Sequence, residues 1–408
     1  MNINTDFEKF ISSFDFPSFI AKYKDAEPNS LVFKLKKEFG SYYPFLAEQL
    51  KLYKKSLRKL PIFAENHCLY TLKSFEQSSS EALAVFKAKL FNGKILLDLS
   101  GGLGVDDWAF SKSFSKVITI DNDSELNIIT GYNFNRLGVN NIERMDADSY
   151  EFIIKNNKYD LIYLDSDRRS KSNLKKSILL EESEPSIVKM KERLFELSDT
   201  ILLKLSPLID LTYLIKRLEN VSAIYVISMH NEIKEILALL TKDYKGEKPL
   251  IKAIDISSHE KESEYSAVWK KEVLNTFYNI DSNPEYFYEP AACLIKSSLA
   301  KNYAEYKKLN IISNNCLYFT GNELLNGFFG RSFKIIHLSV FSKSAVWKYL
   351  DENKIKKANV GKRNFPVEVW EIKKLFNLND GGDEYLFFGQ NDKNKKLFFH
   401  CRKVINIC

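Results

Sequence analysis

The sequence lacks the features of a disulfide-stabilised, metal-binding or membrane-spanning protein. Its five cysteines are scattered without a Cys-x-x-Cys pair, and none of its five histidines lies near a cysteine at the spacing of metal ligands. All apolar runs are shorter than the roughly 18 residues that a membrane-spanning helix needs. The N-terminus has no basic region followed by an apolar one. We therefore expect no disulfide framework, no metal, no membrane association and a cytoplasmic location.

The composition is that of a folded protein with more than one domain. Hydrophobic residues make up 45% of the chain and aromatic residues 13%. Because a single core rarely grows beyond about 250–300 residues, a larger chain indicates two or more domains, and this one has 408 residues. The formal net charge of +7 indicates solubility and weak attraction to polyanions.

The pattern of apolar residues divides the chain into four segments. Apolar residues three or four apart predict a helical lobe over residues 1–85. Alternating helices and strands over residues 86–274 predict an α/β domain with a doubly wound parallel sheet. Beyond this domain the composition shifts, and small α+β domains are predicted over residues 275–332 and 333–408.

Secondary structure in the later part of the α/β domain is predicted from shorter patterns. Strands are expected near residues 201–205, 224–228 and 250–256, and helices near residues 187–197, 211–218 and 232–240. Ligands of such a sheet bind beyond the carboxyl ends of its strands.

Two features of the helical lobe have simple structural explanations. The segment QSSSE, residues 77–81, contains candidate N-caps for the helix that follows, and capping accounts for its composition. The lobe also carries a run of basic residues that we interpret first as a solvated helix face, with nucleic-acid contact as the alternative. The run comprises Lys51, Lys54, Lys55, Arg58 and Lys59.

Residues 94–123 read as a strand, a glycine turn, a helix and a second strand. Gly101, Gly102 and Gly104 follow the first strand directly, and glycines there let the backbone turn tightly and approach a ligand. Asp121 ends the second strand, where an acidic side chain can accept hydrogen bonds from a ribose. This plan is typical of a nucleotide-cofactor site, although a tight turn without a ligand would also contain glycines.

The spacing of the glycines distinguishes between cofactors. A dinucleotide fingerprint requires G-x-G-x-x-G, and Asp107 stands where the third glycine would be. The pattern DLSGGLG instead resembles the first motif of class I S-adenosylmethionine-dependent methyltransferases. The resemblance implies that Ser100 and the three glycines contact this cofactor.

Four carboxylates, Asp98, Asp121, Asp148 and Asp165, fall at or just past predicted strand ends. Ionised carboxylates that gather at one sheet edge repel one another and lose hydration. This arrangement is unfavourable unless a ligand or solvent interacts with them. We expect Asp98 to orient the cofactor ammonium, Asp121 to hold the ribose and Asp148 to accept from the adenine amino group. Helix capping is the alternative for each of them taken singly.

Asp165 opens the loop DSDRRSKSNLKK. A strand-end acid followed by Arg168 and Arg169 puts a hydrogen-bond acceptor at the reacting end and cations beside it for phosphate. Lys204, at the end of a later strand, is a further candidate for substrate binding. A solvated loop without a ligand is the alternative.

The last part of the chain is basic. Its Lys and Arg residues outnumber the acids, and Phe365 and Trp370 lie among these basic residues, which predicts a nucleic-acid footprint. Apolar packing is the alternative, and the favoured role, for most of the aromatic residues. The basic residues are Lys356, Lys357, Lys362, Arg363, Lys373, Lys374, Lys395, Lys396, Arg402 and Lys403.

An ordered set of motifs resembles one bacterial family. It consists of QSSSE, DLSGGLGVD, the strand-end DSDRR, LKLSP, HNE, YEPAACLIKS, KRNFPVEVWEIKK and LNDGGDEYLFF. This set is similar to class I S-adenosylmethionine-dependent methyltransferases that carry a ferredoxin-like domain and a C-terminal THUMP-like domain. The resemblance implies a Rossmann-like methyltransferase domain over residues 86–274, a ferredoxin-like domain over 275–332 and a THUMP-like domain over 333–408.

The resemblance also implies methylation of RNA, tRNA or rRNA, because THUMP domains generally bind RNA. The expected mechanism is direct in-line methyl transfer with Asp165 orienting the nucleophile. Ser166, Asp167 and Arg168 depart from the D/N-P-P-Y motif of enzymes that methylate base nitrogens, which puts that acceptor in doubt. A small-molecule or protein methyltransferase, or a non-catalytic RNA-binding protein with a vestigial cofactor pocket, remains an alternative.

Overall fold

The computed structural model describes residues 3–26, 28–154, 157–165, 167–168, 180–246, 248–256, 262–269 and 283–404. The chain divides into two compact units. The first comprises Met1–Ser222 and Leu237–Glu247, and the second comprises Ala223–Ile236 and Lys248–Cys408.

The first unit begins with a helical lobe. Its helices are α1 (Ile3–Ser13), α2 (Phe16–Tyr23), α3 (Pro28–Phe39), α4 (Tyr43–Lys59), α5 (Pro61–Glu65), α6 (Leu72–Gln77) and α7 (Glu81–Leu90). Phe16, Leu35 and Leu46 are fully buried in the core of this lobe. Ile129, from a helix of the α/β part, belongs to the same core, so the lobe packs directly on the α/β part.

The α/β part of the first unit follows in sequence. Its elements are β1 (Gly93–Asp98), α8 (Val105–Phe110), β2 (Phe114–Asp121), α9 (Ser124–Arg136), β3 (Ile142–Asp146), α10 (Ser149–Phe152), β4 (Leu161–Asp165), β5 (Asp167–Arg168), β6 (Ser183–Glu184), α11 (Ile187–Leu197), β7 (Thr200–Leu205) and α12 (Leu211–Leu218). Strands β7-β4-β1-β2-β3 pair in this order, and each of these pairs is parallel.

The register of the parallel strands brings their acidic ends to one edge. Asp98 lies opposite Thr119, and Asp165 lies opposite Lys204. Asp121 lies opposite Asp146 on the outer strand. In the central strands the apolar side chains before these ends are buried, as in α/β proteins. The carboxyl edge therefore gathers the predicted site residues of four strands.

One sequence prediction was wrong in the next segment. Residues 232–240 were predicted as a helix, but they belong to strand β9 (Glu232–Thr241), which follows β8 (Val221–Met229). His230 and Asn231 join the two strands with φ of 54° and 60°. Two consecutive left-handed residues are the signature of a type I′ hairpin. The apolar run ILALL fits either a buried strand or a helix, and the hairpin decides between them.

The second unit contains a group of strands that includes most of β8, and a second sheet. Strands β10 (Leu250–Ile256) and β11 (Glu262–Val268) form an antiparallel pair, and β10 is parallel to β8. The remaining elements are β12 (Tyr286–Pro290), α13 (Ala292–Lys296), α14 (Ala300–Tyr306), β13 (Asn310–Ser313), β14 (Cys316–Gly321), β15 (Gly330–Val340), α15 (Lys343–Glu352), β16 (Asn359–Arg363), α16 (Val369–Phe376), β17 (Glu384–Gln390) and β18 (Lys396–Lys403).

The second sheet has seven strands among the described residues, in the order β13-β14-β12-β15-β18-β17-β16. Side chains alternate between its faces, because successive residues of a strand point to opposite sides. Phe388 and Phe398 pack with helices α15 and α16, whereas Phe387 and Phe399 pack in a second core with Tyr318.

The proposed domain boundaries remain predictions. The boundary between residues 332 and 333 falls inside β15. In the sheet, β15 pairs with β12, which precedes this boundary in sequence, and with β18, which follows it. The boundary between residues 274 and 275 lies outside the described residues.

Candidate active site

The glycine turn after β1 has a backbone that only glycine fits at two positions. Gly104 has φ of +75°, and a Cβ there would lie 2.6 Å from Phe134. A Cβ on Gly101 would lie 2.4 Å from Thr119 Oγ1 and 2.8 Å from Arg144 Nη1. Gly101 N donates to Ile120 O at 2.9 Å, which holds the turn against β2. The glycines therefore allow the turn to pack closely over the neighbouring strands.

Asp98 is buried beneath this turn, with only 1% of its surface exposed. Its Oδ1 accepts hydrogen bonds from Ser100 N at 2.7 Å and from Ser100 Oγ at 2.8 Å. Ser100 Oγ in turn accepts from Asp165 N at 2.7 Å. Ser100 thus links the ends of β1 and β4, and its hydroxyl has a structural role in addition to the predicted cofactor contact.

Asp121 ends β2 with both carboxylate oxygens on backbone donors. Gly102 N donates to Oδ2 at 2.8 Å, and Asp123 N donates to Oδ1 at 2.9 Å. Each carboxylate oxygen can accept more than one hydrogen bond. The glycine turn therefore fixes the orientation of Asp121 while leaving it able to accept further donors.

Arg144 of β3 is a site residue that the sequence prediction missed. Its Nη2 donates to Gly102 O at 2.8 Å and lies 3.8 Å from Asp121 Oδ2. Its Nε donates to Asn127 Oδ1 at 2.6 Å. The guanidinium, with 7% of its side chain exposed, also lies 3.9 Å from Asp107 Oδ2. Arg144 is thus a buried cation close to Asp107 and Asp121.

The buried acids have shifted proton affinities. Burial, followed by the negative charge of Asp107, raises the pKa of Asp98 well above its ordinary value. Burial likewise raises the pKa of Asp107 to about 6, although Arg144 opposes the shift. A positive ligand near Asp98 would favour its ionised form.

Asp148 is the N-cap of α10. Its Oδ1 accepts from Tyr150 N at 2.8 Å and from Glu151 N at 3.2 Å. Helix capping, the alternative role for this residue, is therefore present. Asp148 also lines the cavity of the site.

Asp165 and Lys204 form an ion pair at the ends of β4 and β7, with Lys204 Nζ 2.5 Å from Asp165 Oδ2. The side chain of Asp165 is 34% exposed and that of Lys204 is 12% exposed. Lys204 thus contacts the predicted catalytic residue, whereas the sequence prediction assigned it to the substrate.

A second ion pair, buried behind the first, connects the site to the helical lobe. Lys87 Nζ is fully buried and lies 3.0 Å from Asp106 Oδ1. Asp106 Oδ2 accepts from Ser79 Oγ at 2.9 Å and from Tyr163 Oη at 2.8 Å. Burial opposes ionisation of Asp106, but Lys87 and then Lys204 hold its pKa below the ordinary value. None of these four residues was predicted as a site residue.

These side chains surround one cavity of about 920 Å³. The glycine turn, Asp98, Asp121, Asp148, Asp165 and Lys204 all line it. The structure therefore brings together every predicted site residue except Arg168 and Arg169. The backbone of Arg168 lies in β5, while its side chain and the whole of Arg169 lie outside the described residues.

The predicted basic footprint of the C-terminal part is partly neutralised by acids. Lys362 pairs with Glu368, Lys373 with Asp380 and Arg402 with Glu384, and Arg363 lies 3.8 Å from Glu289. The other six residues of the footprint are exposed. They are Lys356, Lys357, Lys374, Lys395, Lys396 and Lys403.

Two classes of site are absent from the part of the chain that the structure describes. None of its helices has the length and apolar character needed to cross a bilayer. Nor do three or more His, Cys, Asp or Glu side chains converge there as possible metal ligands.

Known proteins share this architecture. The THUMP domain-like family model matches residues 330–403, from β15 to β18. The crystal structure of a candidate methyltransferase from Porphyromonas gingivalis W83 matches with a TM-score of 0.84 at 26% identity, covering 96% of this chain and 98% of that chain. Comparison with curated proteins gives no match.

Two further solved structures are similar only at a lower level. A candidate RNA methyltransferase from Pyrococcus horikoshii has a TM-score of 0.29 at 14% identity, covering 42% of this chain and 83% of that chain. M. capricolum TrmK with S-adenosylhomocysteine has a TM-score of 0.31 at 12% identity, covering 45% of this chain and 72% of that chain. Similarity at this level does not bear on function.

The full-length match and the THUMP-like segment confirm the family resemblance found in the sequence. The chain has the α/β fold of a methyltransferase, with a helical N-terminal region and a THUMP-like domain in its C-terminal part. It overlaps nearly completely with the Porphyromonas gingivalis protein, which is described as a candidate methyltransferase.

Proposed function

We propose that the protein is an S-adenosylmethionine-dependent methyltransferase that acts on RNA. The observation that carries the proposal is Asp121, a strand-end carboxylate that the glycine turn holds at the wall of the cavity. This arrangement suits the ribose of an adenosine cofactor, because the two hydroxyls of a ribose are hydrogen-bond donors.

The residues present fit this cofactor. The cavity of about 920 Å³ is large enough for a cofactor and part of an acceptor. A Cβ on Gly102 would meet no atom closer than Ser100 O at 3.7 Å, so the wall at Gly102 is open to a ligand. Acidic side chains line the same wall, which suits a ligand that carries an ammonium and a sulfonium.

Each carboxylate keeps the role that we expected for it. Asp98 orients the ammonium, and its raised pKa falls when that positive charge binds. Asp121 accepts from the ribose hydroxyls. Asp148 accepts from the adenine amino group through Oδ2, because its capping bonds use Oδ1. Ser100, Gly101, Gly102 and Gly104 form the wall around the cofactor's amino-acid portion.

The reacting end of the site is the Asp165–Lys204 pair. When bound, the cofactor supplies a methyl group on a positively charged sulfur, which is already an activated donor. Asp165 accepts a hydrogen bond from the acceptor group and orients its lone pair for in-line transfer. Lys204 holds the Asp165 carboxylate in place. Because the methyl donor is already activated, positioning of the acceptor group contributes most of the rate enhancement. Arg168 and Arg169 bind phosphate of the acceptor.

RNA is the acceptor favoured by the rest of the chain. The THUMP-like segment, residues 330–403, contains the six exposed lysines of the predicted basic footprint. The whole chain carries a net charge of +7. Exposed cations attract the phosphates of a polyanion without regard to sequence. A cytoplasmic location suits such a substrate.

Calorimetric titration with S-adenosylmethionine tests the cofactor assignment. The Asp121→Asn variant is expected to bind about 10- to 100-fold more weakly than the wild type, because a charged hydrogen bond is worth about 1.5–3 kcal/mol. Asp146→Asn is the matched control, since Asp146 ends the neighbouring strand and accepts from Ser124 Oγ. Equal affinities of wild type and Asp121→Asn would refute the ribose assignment.

A further inference from the structure

Helix α6 forms a side of the cavity to which the proposed function assigns no role. Lys73, Ser74 and Gln77 of this helix line the cavity, as do Ser78 and Ser79 after it. From the sequence, this segment has only a capping role. Ser80 does cap α7 by accepting from Leu83 N at 3.4 Å, but the residues before it reach the cavity.

Lys59 fixes the C-terminal end of α6. Its ammonium donates to Phe75 O and to Glu76 O, the latter at 3.3 Å. Burial, followed by the positive charge of Lys204, lowers the pKa of Lys59 to about 8. Lys59, a residue of α4, thus holds the C-terminal end of α6. Lys59 is therefore not part of a solvated helix face.

Ser79 provides a second anchor on the same side. Its hydroxyl bridges Lys87 and Asp106, at 2.8 Å and 2.9 Å. Asp106 also accepts from Tyr163 of β4, the strand that ends at Asp165. The α6 segment is thus linked through Ser79 and Asp106 to β4, the strand that carries Asp165.

The strand order separates this side from the cofactor end. Three strand intervals separate β7 from β2 in the order β7-β4-β1-β2. At about 4.8 Å per interval, the ends of β7 and β2 are about 14 Å apart. The cavity therefore has an acidic end at Asp121 and Asp148, and a lysine-bearing end at Lys204.

Lys73 and Gln77 are exposed and stand four residues apart on α6. Side chains at this spacing lie on the same face of a helix. One offers an ammonium and the other an amide, which are groups that bind phosphate and the hydroxyls or base edges of a nucleotide.

We infer that Lys73 and Gln77 form the acceptor-binding wall of the active site and contact the phosphate and the nucleoside of the methylated RNA. This inference rests on the proposed function, because it assigns the acceptor side of the same cavity. The helical lobe then contributes directly to substrate recognition.

Fluorescence anisotropy with the full-length protein tests this role. The probe is a short fluorescein-labelled single-stranded RNA of mixed sequence, titrated with saturating S-adenosylhomocysteine over a series of NaCl concentrations. Lys73→Ala is expected to weaken binding about fivefold and to reduce the salt slope by about 0.7, as for one lost phosphate contact. Gln77→Ala is expected to weaken binding without changing the slope, because it removes no charge.

Lys51→Ala is the matched control, since Lys51 is an exposed lysine of α4 in the same lobe that does not line the cavity. It is expected to bind RNA as the wild type does. Equal losses in Lys73→Ala and Lys51→Ala would overturn the inference, and so would wild-type protein that binds S-adenosylmethionine but not the RNA probe.

Two measurements distinguish a loss of cofactor binding from a loss of RNA binding. Calorimetry with S-adenosylmethionine is expected to give wild-type affinity for Lys73→Ala, within about twofold, since the inference assigns Lys73 to the acceptor and not to the cofactor. A wild type that fails to bind S-adenosylmethionine contradicts the proposed function. A Lys73→Ala variant that loses cofactor and RNA affinity together overturns the inference, because Lys73 would then support the cavity as a whole.

Discussion

Lys204 Nζ lies 2.5 Å from Asp165 Oδ2, at the carboxyl ends of two adjacent parallel strands. The backbone N–H of Asp165 is held at the same time by Ser100, which joins this strand to the glycine turn. The residue proposed to orient the acceptor is therefore fixed by its side chain and by its main chain.

Removing Lys204 is expected to slow methyl transfer more than it weakens cofactor binding. In Lys204→Met the Asp165 carboxylate loses the ammonium that holds it, and a loss of about 2–3 kcal/mol in orientation corresponds to about 30- to 200-fold in rate. Single-turnover rates and calorimetric affinities for S-adenosylmethionine measure the two effects separately. Lys204→Arg is expected to recover part of the rate.

The control for this variant is Lys242→Met, because Lys242 forms a more exposed pair with Asp199 at 3.6 Å. Exposed ion pairs contribute little, so its rate should match the wild type. An unchanged single-turnover rate in Lys204→Met would show that Lys204 has no role in methyl transfer.

Asp107→Asn is expected to change stability in a pH-dependent way. Burial raises the pKa of Asp107 from 3.8 to about 6, so between these values the folded state binds more protons than the unfolded state. The free energy of unfolding of the wild type therefore falls as pH rises through this interval, and the full loss is reached above it. A shift of this size is worth up to about 3 kcal/mol.

Asn does not titrate. The free energy of unfolding of Asp107→Asn relative to wild type should therefore rise by up to about 3 kcal/mol between pH 4 and pH 7. Urea denaturation at a series of pH values measures this difference. A difference that does not vary with pH would show that the buried carboxyl has an ordinary pKa.

The two left-handed glycines of the turn are expected to respond differently to alanine. Gly104→Ala adds a Cβ 2.6 Å from Phe134, and we expect a stability loss of about 2–4 kcal/mol from strain and overpacking. Gly102→Ala, at φ of +51°, adds a Cβ in open space, so only the backbone strain of about 1–2 kcal/mol remains.

Gly102→Ala should instead lower the affinity for S-adenosylmethionine, because its new methyl group lies at the cavity wall. Thermal unfolding and calorimetry distinguish the two variants. Equal stability losses would contradict the packing described for Gly104.

Arg144→Met is expected to reduce both stability and cofactor affinity. The change removes the donor to Gly102 O and leaves the buried carboxyl of Asp107 without its cation. Breaking a buried charged contact costs about 3–5 kcal/mol. The exposed Arg136, which donates to Asn66 O, provides the control variant Arg136→Met, with an expected loss below about 1 kcal/mol. Similar losses in both variants, measured by urea denaturation, would count against a central role for Arg144.

The sequence was informative where local patterns decide the structure. The predicted helix over residues 187–197 and the predicted strand over 250–256 coincide with α11 and β10, because their apolar patterns are unambiguous. The strand-end acids could be found because parallel strands must align their carboxyl ends. The helix predicted over residues 232–240 was wrong, since a short apolar run fits both structures and the hairpin at His230 and Asn231 lacks the usual glycine.

The missed site residues depend on contacts between distant parts of the chain. Arg144 is an isolated arginine in a short strand, and only the pairing of β2 with β3 brings it to the glycine turn. Lys87 lies in α7, and its contact with Asp106 requires the folded arrangement of α7 and α8. Lys73 and Gln77 stand in a six-residue helix, and from the sequence the segment that begins at Gln77 was interpreted only as a helix cap.

Transfer of a labelled methyl group to RNA tests the central claim most directly. The purified protein is incubated with methyl-tritiated S-adenosylmethionine and total RNA from cells that lack the protein, and the RNA is digested to nucleosides for chromatography and mass spectrometry. We expect label in a single modified nucleoside, with strongly reduced incorporation for Asp165→Ala. Label that appears only in proteins or small molecules, or label in RNA that is unaffected by the Asp165→Ala change, would contradict the account.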